Sequence, residues 1–398
     1  MYISDAREHG IKVYLPDVNK SLNSFSIEDN AIRYGFGAVK NVGEAAVDEI
    51  IREREKNGDF KSLIDFTSRM SQSKVNSRAI EFLIKAGAFD FTGINRGLLL
   101  AMLPIALKEG SKAAEDKDNG QLSLFAAFAT EIPDSSSGMT DEDILKQVDK
   151  SAAWDVFDSL EFEREVLGIY LSNHPARFFR KDFQNLGLSS INSVVEEVES
   201  GKRFYGQRND NWVPGIITTD IKPVKSRDGR DYYLKGILES EDNSVEFSIN
   251  KIGNPMGNPD VEKLASKVPL IFRVRGRAVM TGDDDEKTLE KVIFSINDIK
   301  EDVKTLDQFI LYSKQNDENF EPMLVYECRE DEFMKNKENL KTMFSDSPSA
   351  LRIKLQIKMN FGDSGDNIIL EKTGNIDLGK LAQYKSMLGY DNLYLKVK

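Results

Sequence analysis

Cysteine is almost missing from this chain: of 398 residues only Cys328 carries a thiol. A single cysteine excludes an intrachain disulfide and any zinc site built from cysteines. Histidine is nearly as scarce. His9 and His174 lie 165 positions apart in unrelated contexts, which makes a histidine-based catalytic or metal centre improbable. No apolar run approaches the ~18 residues that a membrane helix requires, and residues 1–10 are charged without an apolar signal core. The expectation is a soluble, untargeted, cytoplasmic chain. Its length implies roughly two to four domains, and 40% hydrophobic residues suffice for ordinary cores.

Basic residues are outnumbered, 54 to 66, for a formal net charge of −12. Taken alone this speaks against nucleic acid as a partner, because phosphate contacts need basic surface. The distribution changes that conclusion. Residues 121–200 hold 6 basic and 15 acidic residues, whereas 1–120 hold 17 and 18, 201–304 hold 18 and 18, and 305–398 hold 13 and 15. The blocks on either side of the acidic middle are balanced and can each present a basic face.

The first strong local signal is Tyr34-Gly35-Phe36-Gly37-Ala38-Val39-Lys40-Asn41-Val42-Gly43, followed by Val47, Ile50 and Ile51 at helical spacing. A short helix, a Lys-Asn-Val-Gly turn and a second helix make a helix-hairpin-helix. The turn needs positive φ, which glycine takes freely and asparagine tolerates. Its amides and the following helix start would form a concavity for one phosphate, with Lys40 adding charge. A plain helical hairpin packed through glycine is the competing reading. A second hairpin raises the weight of the first: Lys74-Val75-Asn76-Ser77-Arg78 leads into Ala79, Ile80, Phe82 and Leu83 on one face, closed by Gly87. Paired hairpins with basic turns suit a grip on duplex backbone that reads no sequence. The candidate duplex contacts are Lys40, Asn41, Val42, Gly43, Lys74 and Arg78.

Downstream, a helix over residues 96–112 with Leu98, Leu99, Met102 and Ile105 on its apolar side dissolves into polar sequence. There an apolar hook stands out: Gln121, Leu122, Ser123, Leu124, Phe125. Asp141-Glu142-Asp143 invites a metal site, but Thr140 as a cap with acids in a first helical turn explains it better. From Trp212 the period becomes strand-like, with candidate strands at 212–219, 231–239, 245–250, 270–280 and 288–299 and a helical stretch near 260–266 between the third and fourth. Five strands in this arrangement are an OB-fold pattern. The loop 226–230 is expected to join the first two strands. Lys222, Lys225, Arg227 and Arg230 with Tyr232 suit single-stranded nucleic acid, with cations along the backbone and aromatic rings stacking on bases; Tyr233 shares that strand, and a solvated hairpin with core aromatics is the alternative. Arg273, Arg275 and Arg277 share one strand face as a second basic stripe. Beyond 305 helices alternate with strands, among them 323–328, 351–359, 368–370 and 393–397. His174 is expected to be structural.

Residues 32–66, together with 76–90 and its run Ala86-Gly87-Ala88-Phe89-Asp90, resemble the tandem helix-hairpin-helix region of the bacterial DNA polymerase III α subunits, the C-family replicative polymerases. Gly10-Ile11-Lys12-Val13 and Pro16-Asp17-Val18-Asn19 are similar to the end of that family's fingers domain. The hook resembles the peptide by which these polymerases hold the sliding clamp, and the stretch from Leu160 to the His174-Pro175 corner is similar as well. Asn41 departs from the family, which commonly has glycine there. The resemblance implies a multidomain α+β fold: 1–30 a remnant of the fingers region, 31–112 the tandem helix-hairpin-helix domain, 113–150 a linker with the clamp peptide, 151–200 a helical connector, 201–304 the OB-fold β-barrel, and 305–398 a small α+β domain binding the clamp loader's τ subunit.

By the same resemblance Gln121 would hydrogen-bond at the β sliding clamp while Leu124 and Phe125 fill its apolar pocket, with Leu122 in the same clamp-binding peptide; a short buried strand, or a linker anchored to its own domain, is the alternative. DNA, clamp and τ subunit are thus the expected partners. The family's catalytic aspartates and their Mg2+ lie in a palm domain to which nothing here corresponds, so no catalytic residue, metal site or cofactor is assigned, and the chain alone is expected not to extend primers. The rival reading is a free-standing replication accessory protein that binds nucleic acid. A nuclease lacks any supporting cluster.

Overall fold

The computed structural model describes residues 6, 9–118, 139–201, 211–218, 221–226, 229, 231–241, 243–281, 288–344, 350–361 and 366–397. The chain divides into two compact units, Met1–Asn173 and His174–Lys398. The result is a mixed α/β protein with several β-sheets.

In the first unit, strands β1 (Val13–Tyr14), β2 (Ser26–Glu28) and β3 (Ala31–Arg33) form a sheet in the order β1-β3-β2. Asp29 and Asn30 join β2 to β3 with φ of +49° and +60°, the paired left-handed conformation of a two-residue hairpin. The stretch 1–30, expected as a remnant of a preceding domain, is from Val13 onward part of this unit. Val18 is fully buried in its core and donates its amide to Ala88 O. Four helices follow: α1 (Glu44–Asn57), α2 (Leu63–Arg69), α3 (Ser77–Lys85) and α4 (Arg96–Asp118). α3 ends as its sequence predicts: Gly87 takes φ +85°, and the amides of Gly87 and Ala88 bond to Ile84 O and Leu83 O, a Schellman closure. Phe60, Phe66 and Phe89 are fully buried and meet edge to face at 4.8 and 5.0 Å; burial stabilises by ~1.5–3 kcal/mol for each ring.

α4 runs six residues past its expected end at 112 and lies so close to α2 that a Cβ on Gly110 would sit 2.8 Å from the Thr67 backbone. Thr67 Oγ1 donates to Ala106 O across the same contact (2.9 Å). α5 (Asp141–Leu145) opens with the Thr140 and Asp143 capping box. Asp141 does more than favour its own helix dipole. Its carboxylate accepts the amides of Leu63 (2.8 Å) and Ile64 (2.9 Å), capping α2 across 78 residues of sequence. α6 (Val156–Leu167) completes the unit and ends at Gly168, φ +79°. The expected connector 151–200 is therefore divided, up to Asn173 in this unit and from His174 in the next.

The second unit begins with His174 capping a 3-10 turn (Pro175–Phe179) through Nδ1, then α7 (Arg180–Asn185) and α8 (Ile191–Glu199). Strands β4 (Asn211–Ile217), β6 (Tyr232–Glu239), β7 (Ser244–Ile252), β8 (Leu270–Thr281) and β9 (Thr288–Ile296) close a ring, each pairing with the next in the order β4-β6-β7-β9-β8-β4; only β7 and β9 are parallel. Its interior holds Val213, Leu234, Phe247, Phe272 and Phe294, with Ile191 and Val194 of α8 in the same core. β5 (Lys222–Lys225) is a correction to the sequence reading. This extra strand pairs with β6, so the loop 226–230 joins β5 to β6 rather than the first two strands of the ring. All four of its residues are exposed and one is Pro223, so no burial pattern announced it. The helix between β7 and β8, α9 (Pro259–Glu262), is shorter than expected.

β10 (Val303–Lys304) pairs with β8. Beyond it, β11 (Pro322–Arg329), β12 (Leu351–Phe361), β13 (Asp366–Ile376) and β14 (Leu393–Val397) form a sheet in the order β13-β12-β11-β14, accompanied by α10 (Leu306–Asn316), α11 (Glu330–Thr342) and α12 (Leu381–Leu388). β13 is much longer than the expected 368–370. A buried ion pair locks α7 to this domain: Lys385 Nζ lies 2.7 Å from Asp182 Oδ2 and donates to Leu393 O (2.6 Å), while Asp182 Oδ1 accepts Leu395 N–H (2.7 Å). Burial raises the Asp182 pKa and lowers that of Lys385; the hydrogen bonds and mutual attraction offset only part of the desolvation.

Asp182→Ala should destabilise the second unit by about 3–5 kcal/mol, the usual cost of orphaning one partner, and Asp182→Leu with Lys385→Met should lose much less; chemical denaturation measures both. In the first unit Glu28 bridges Arg33 (2.6 Å) and Lys20 (2.9 Å), and hydrogen bonding from Arg33 above all holds its carboxyl at about 2, below the ordinary 4.5. This lowered group contributes stability that is complete above pH ~4.5 and is lost as pH falls toward 2. Thermal melts across that range should show Glu28→Gln and wild type converging at the acid end.

Candidate nucleic-acid interface

The first hairpin consists of a 3-10 turn (Phe36–Ala38), the residues Val39 to Gly43, and α1. The left-handed position falls on Asn41, φ +60°, not on a glycine; asparagine tolerates it better than most side chains. Gly43 is extended and N-caps α1 with no side chain bonded to the first turn, and a Cβ there would meet nothing within 4 Å. Gly43 O accepts the amides of Ala46 (2.9 Å) and Val47 (3.1 Å); the two amides before them, the positive end of the dipole and the open space beside them suit one anion. Val42 is buried in the core and offers the surface only its backbone.

Lys40 is differently placed from the expectation of a charge beside a phosphate. Its Nζ donates to Glu165 O (2.6 Å) and its amide to Val166 O (3.0 Å). Both carbonyls belong to the last turn of α6, which lacks intrahelical donors. Tyr34 Oη adds a bond to Leu167 O (3.2 Å). The hairpin turn is thus clamped onto α6. α6 is in turn held by Glu163, fully buried, whose Oε1 accepts the amides of Leu171 (2.5 Å) and Ser172 (2.7 Å) and whose Oε2 lies 3.4 Å from Arg96 Nη1.

The second hairpin differs chemically from the first. Asn76 caps α3 by accepting Ala79 N–H (2.9 Å) on its side chain, where Gly43 offers α1 only its backbone carbonyl. What it presents is cationic side chains. Lys74 Nζ is 2.8 Å from Glu49 Oε2, an oxygen shared with Arg52. The Lys74 hydrogen bond is the foremost cause of the lowered Glu49 pKa. Arg78 is exposed with its guanidinium 5.7 Å from the Phe82 ring. Arg52, 64% exposed, was missed by sequence reading; the clue was Glu49 one helical turn before it.

Beside the five-stranded ring, Lys222 and Lys225 are exposed on β5, opposite Lys235 and Tyr232. The pairings continue the Lys222–Lys235 row through Ser248 and Ser295 to Arg275, so cations stand at the ends of a polar band crossing five strands. A groove of about 260 Å³ lies along it, lined by Lys222, Lys235, Ile237, Glu246, Ser248 and Ile293. Lys235 and Arg275 were not among the single-strand candidates named from sequence. Tyr232 and Tyr233 are both half-buried where a bulge interrupts the β6–β7 pairing, so strand alternation does not separate them. Arg273 leaves the expected basic stripe: its Nε donates to the buried Asp302 (2.7 Å) and its guanidinium lies 5.5 Å from the Trp212 ring. Arg227 and Arg230 lie outside the described residues, as do Gln121, Leu122, Leu124 and Phe125. Cys328 is buried, and burial pushes its thiol up to about 11, which removes thiolate chemistry at neutral pH. Among the described residues no group of three His, Cys, Asp or Glu is arranged to hold a metal ion.

Comparison with known proteins gives the geometry its context. A family model described as a helix-hairpin-helix motif matches residues 10–99. The chain is 29% identical over 365 residues to the DNA polymerase III subunit alpha of Thermus aquaticus, covering 91% of this chain and 26% of that protein. It is 31% identical over 315 residues to the subunit of Helicobacter pylori, 75% of this chain and 23% of that protein. With that of Pasteurella multocida it shares 36% over 248 residues, 62% and 20% respectively. The chain thus spans about a quarter or less of the length of these relatives.

The turn itself makes a stability prediction. Asn41→Val places a β-branched residue in the left-handed region and should cost about 1–2 kcal/mol, whereas Asn41→Gly should leave thermal stability nearly unchanged.

Proposed function

We propose, from the premise that this chain is related to the C-terminal region of the DNA polymerase III α subunits, that it is the DNA- and partner-binding portion of a replicative polymerase. The observation that carries the reading is the uncapped amide end of α1 at Gly43, inside a segment matched by the helix-hairpin-helix model. One phosphate of duplex DNA seats on those amides, and Arg78 with the Arg52 and Lys74 pair meets the backbone at the second hairpin. Such contacts fix position and carry no sequence information.

The five-stranded ring is read as an OB-fold. Its order β4-β6-β7-β9-β8 and the helix between its third and fourth strands are the support, and the Lys222 to Arg275 band is where a single template strand would lie. Gln121, Leu122, Leu124 and Phe125 are the proposed clamp-binding peptide, and residues 305–398 the proposed contact to the clamp loader's τ subunit. In this role the chain supplies processivity in the cytoplasm: tethering turns rebinding of a primer end into an intramolecular event at high effective concentration.

Fluorescence anisotropy with a duplex at two salt concentrations tests the hairpins. Gly43→Asp, which sets a carboxylate in the anion cradle, should weaken binding by about tenfold or more and flatten its salt dependence; unchanged affinity would refute the duplex contact. Calorimetry with the sliding clamp tests the peptide independently, since Leu124→Ala with Phe125→Ala should abolish the heat of binding.

A further inference from the structure

β13 is an open edge. It pairs with β12 along all eleven residues without a bulge, and among the described residues no strand pairs with its other side apart from a single bridge between Phe344 and Ile376 at its end. Phe344 also covers Gly374, where a Cβ would meet its ring at 2.5 Å, so the last residues of the edge are occupied. The middle is not. Ile368, Ile369 and Leu370 are 46%, 54% and 43% exposed in succession. Ile368 and Leu370 share the sheet face of Met359 and Ile357, while Ile369 lies on the opposite face, across from Lys358.

Sheet proteins normally blunt such an edge with proline, a bulge, an inward charge or a covering element, because its unpaired amides and carbonyls template another strand. Among the described residues none of these devices is present over 368–370. The strip is also self-complementary. An antiparallel two-fold centred on Ile369 sets Ile369 against its own copy and Ile368 against Leu370 twice, apolar residues facing one another on both sheet faces. Shifting the register by one places Glu371 opposite Ile368 and ends the match.

The geometry points to β13 as an isologous interface: two copies of this chain pair antiparallel through Ile368, Ile369 and Leu370, joining two four-stranded sheets into one of eight. This is independent of the DNA-binding reading, since no residue of the hairpins or the barrel takes part.

Analytical ultracentrifugation of the full chain over a range of concentrations tests it. A reversible monomer–dimer equilibrium is expected, and Ile369→Lys, an exposed position whose change leaves far-UV circular dichroism intact, should abolish the dimer. Ile369→Cys supplies a second readout. Opposed residues in an antiparallel pair stand ~4.5–5.5 Å apart at Cα, within disulfide range, so oxidised glutathione should cross-link two copies there faster than at Met334→Cys, an equally accessible position on α11 (Met334 is 63% exposed). A chain that is monomeric at every concentration overturns the proposal and leaves the edge to a strand of another protein. So does a dimer indifferent to Ile369→Lys, or cross-linking no faster than at position 334.

Discussion

A helix leaves its last carbonyls without donors, and at the end of α6 three of them are taken by the first hairpin. Lys40 supplies two bonds and Tyr34 the third. A cation at this end also meets the negative pole of the helix. The helix start at Gly43 is therefore not placed by its own turn alone. It is positioned by a helix about 125 residues downstream, and that helix is held by the buried Glu163 between Arg96 and two backbone amides.

Buried carboxylates recur as long-range fasteners. Asp141 caps α2 from 78 residues away, Glu163 gathers α4, α6 and the segment after it, and Asp182 fixes α7 to the last strand of the chain. Asp141 and Glu163 each accept two backbone amides and Asp182 accepts one, groups that cannot rotate away. This differs from surface pairs such as Lys341 with Glu338, where screening and side-chain entropy leave little net gain.

The legible part of the fold was whatever has a period or a cap. The apolar spacing of α3, its Gly87 closure, the Thr140 cap and the alternation of β12 are all visible in sequence. β5 was not, because an exposed strand with a proline has no buried face to alternate with. The full length of β13 was hidden for a related reason: from Glu371 to Asn375 its residues are polar or glycine. For the candidate site, composition found the cations but not their engagements. Lys40, Lys74 and Arg273 are each drawn to an acceptor distant in sequence, and no spacing rule announces a carbonyl or carboxylate supplied by another helix. Asn41 was the opposite case, since its turn needs a left-handed residue that asparagine can be.

The contacts of α2 with Gly110 and Asp141 make one short helix a meeting point. α4 packs on α2, and Asp141 at the start of α5 caps it. Two elements distant in sequence are thus fastened to the same seven residues. Loosening that helix would release both at once.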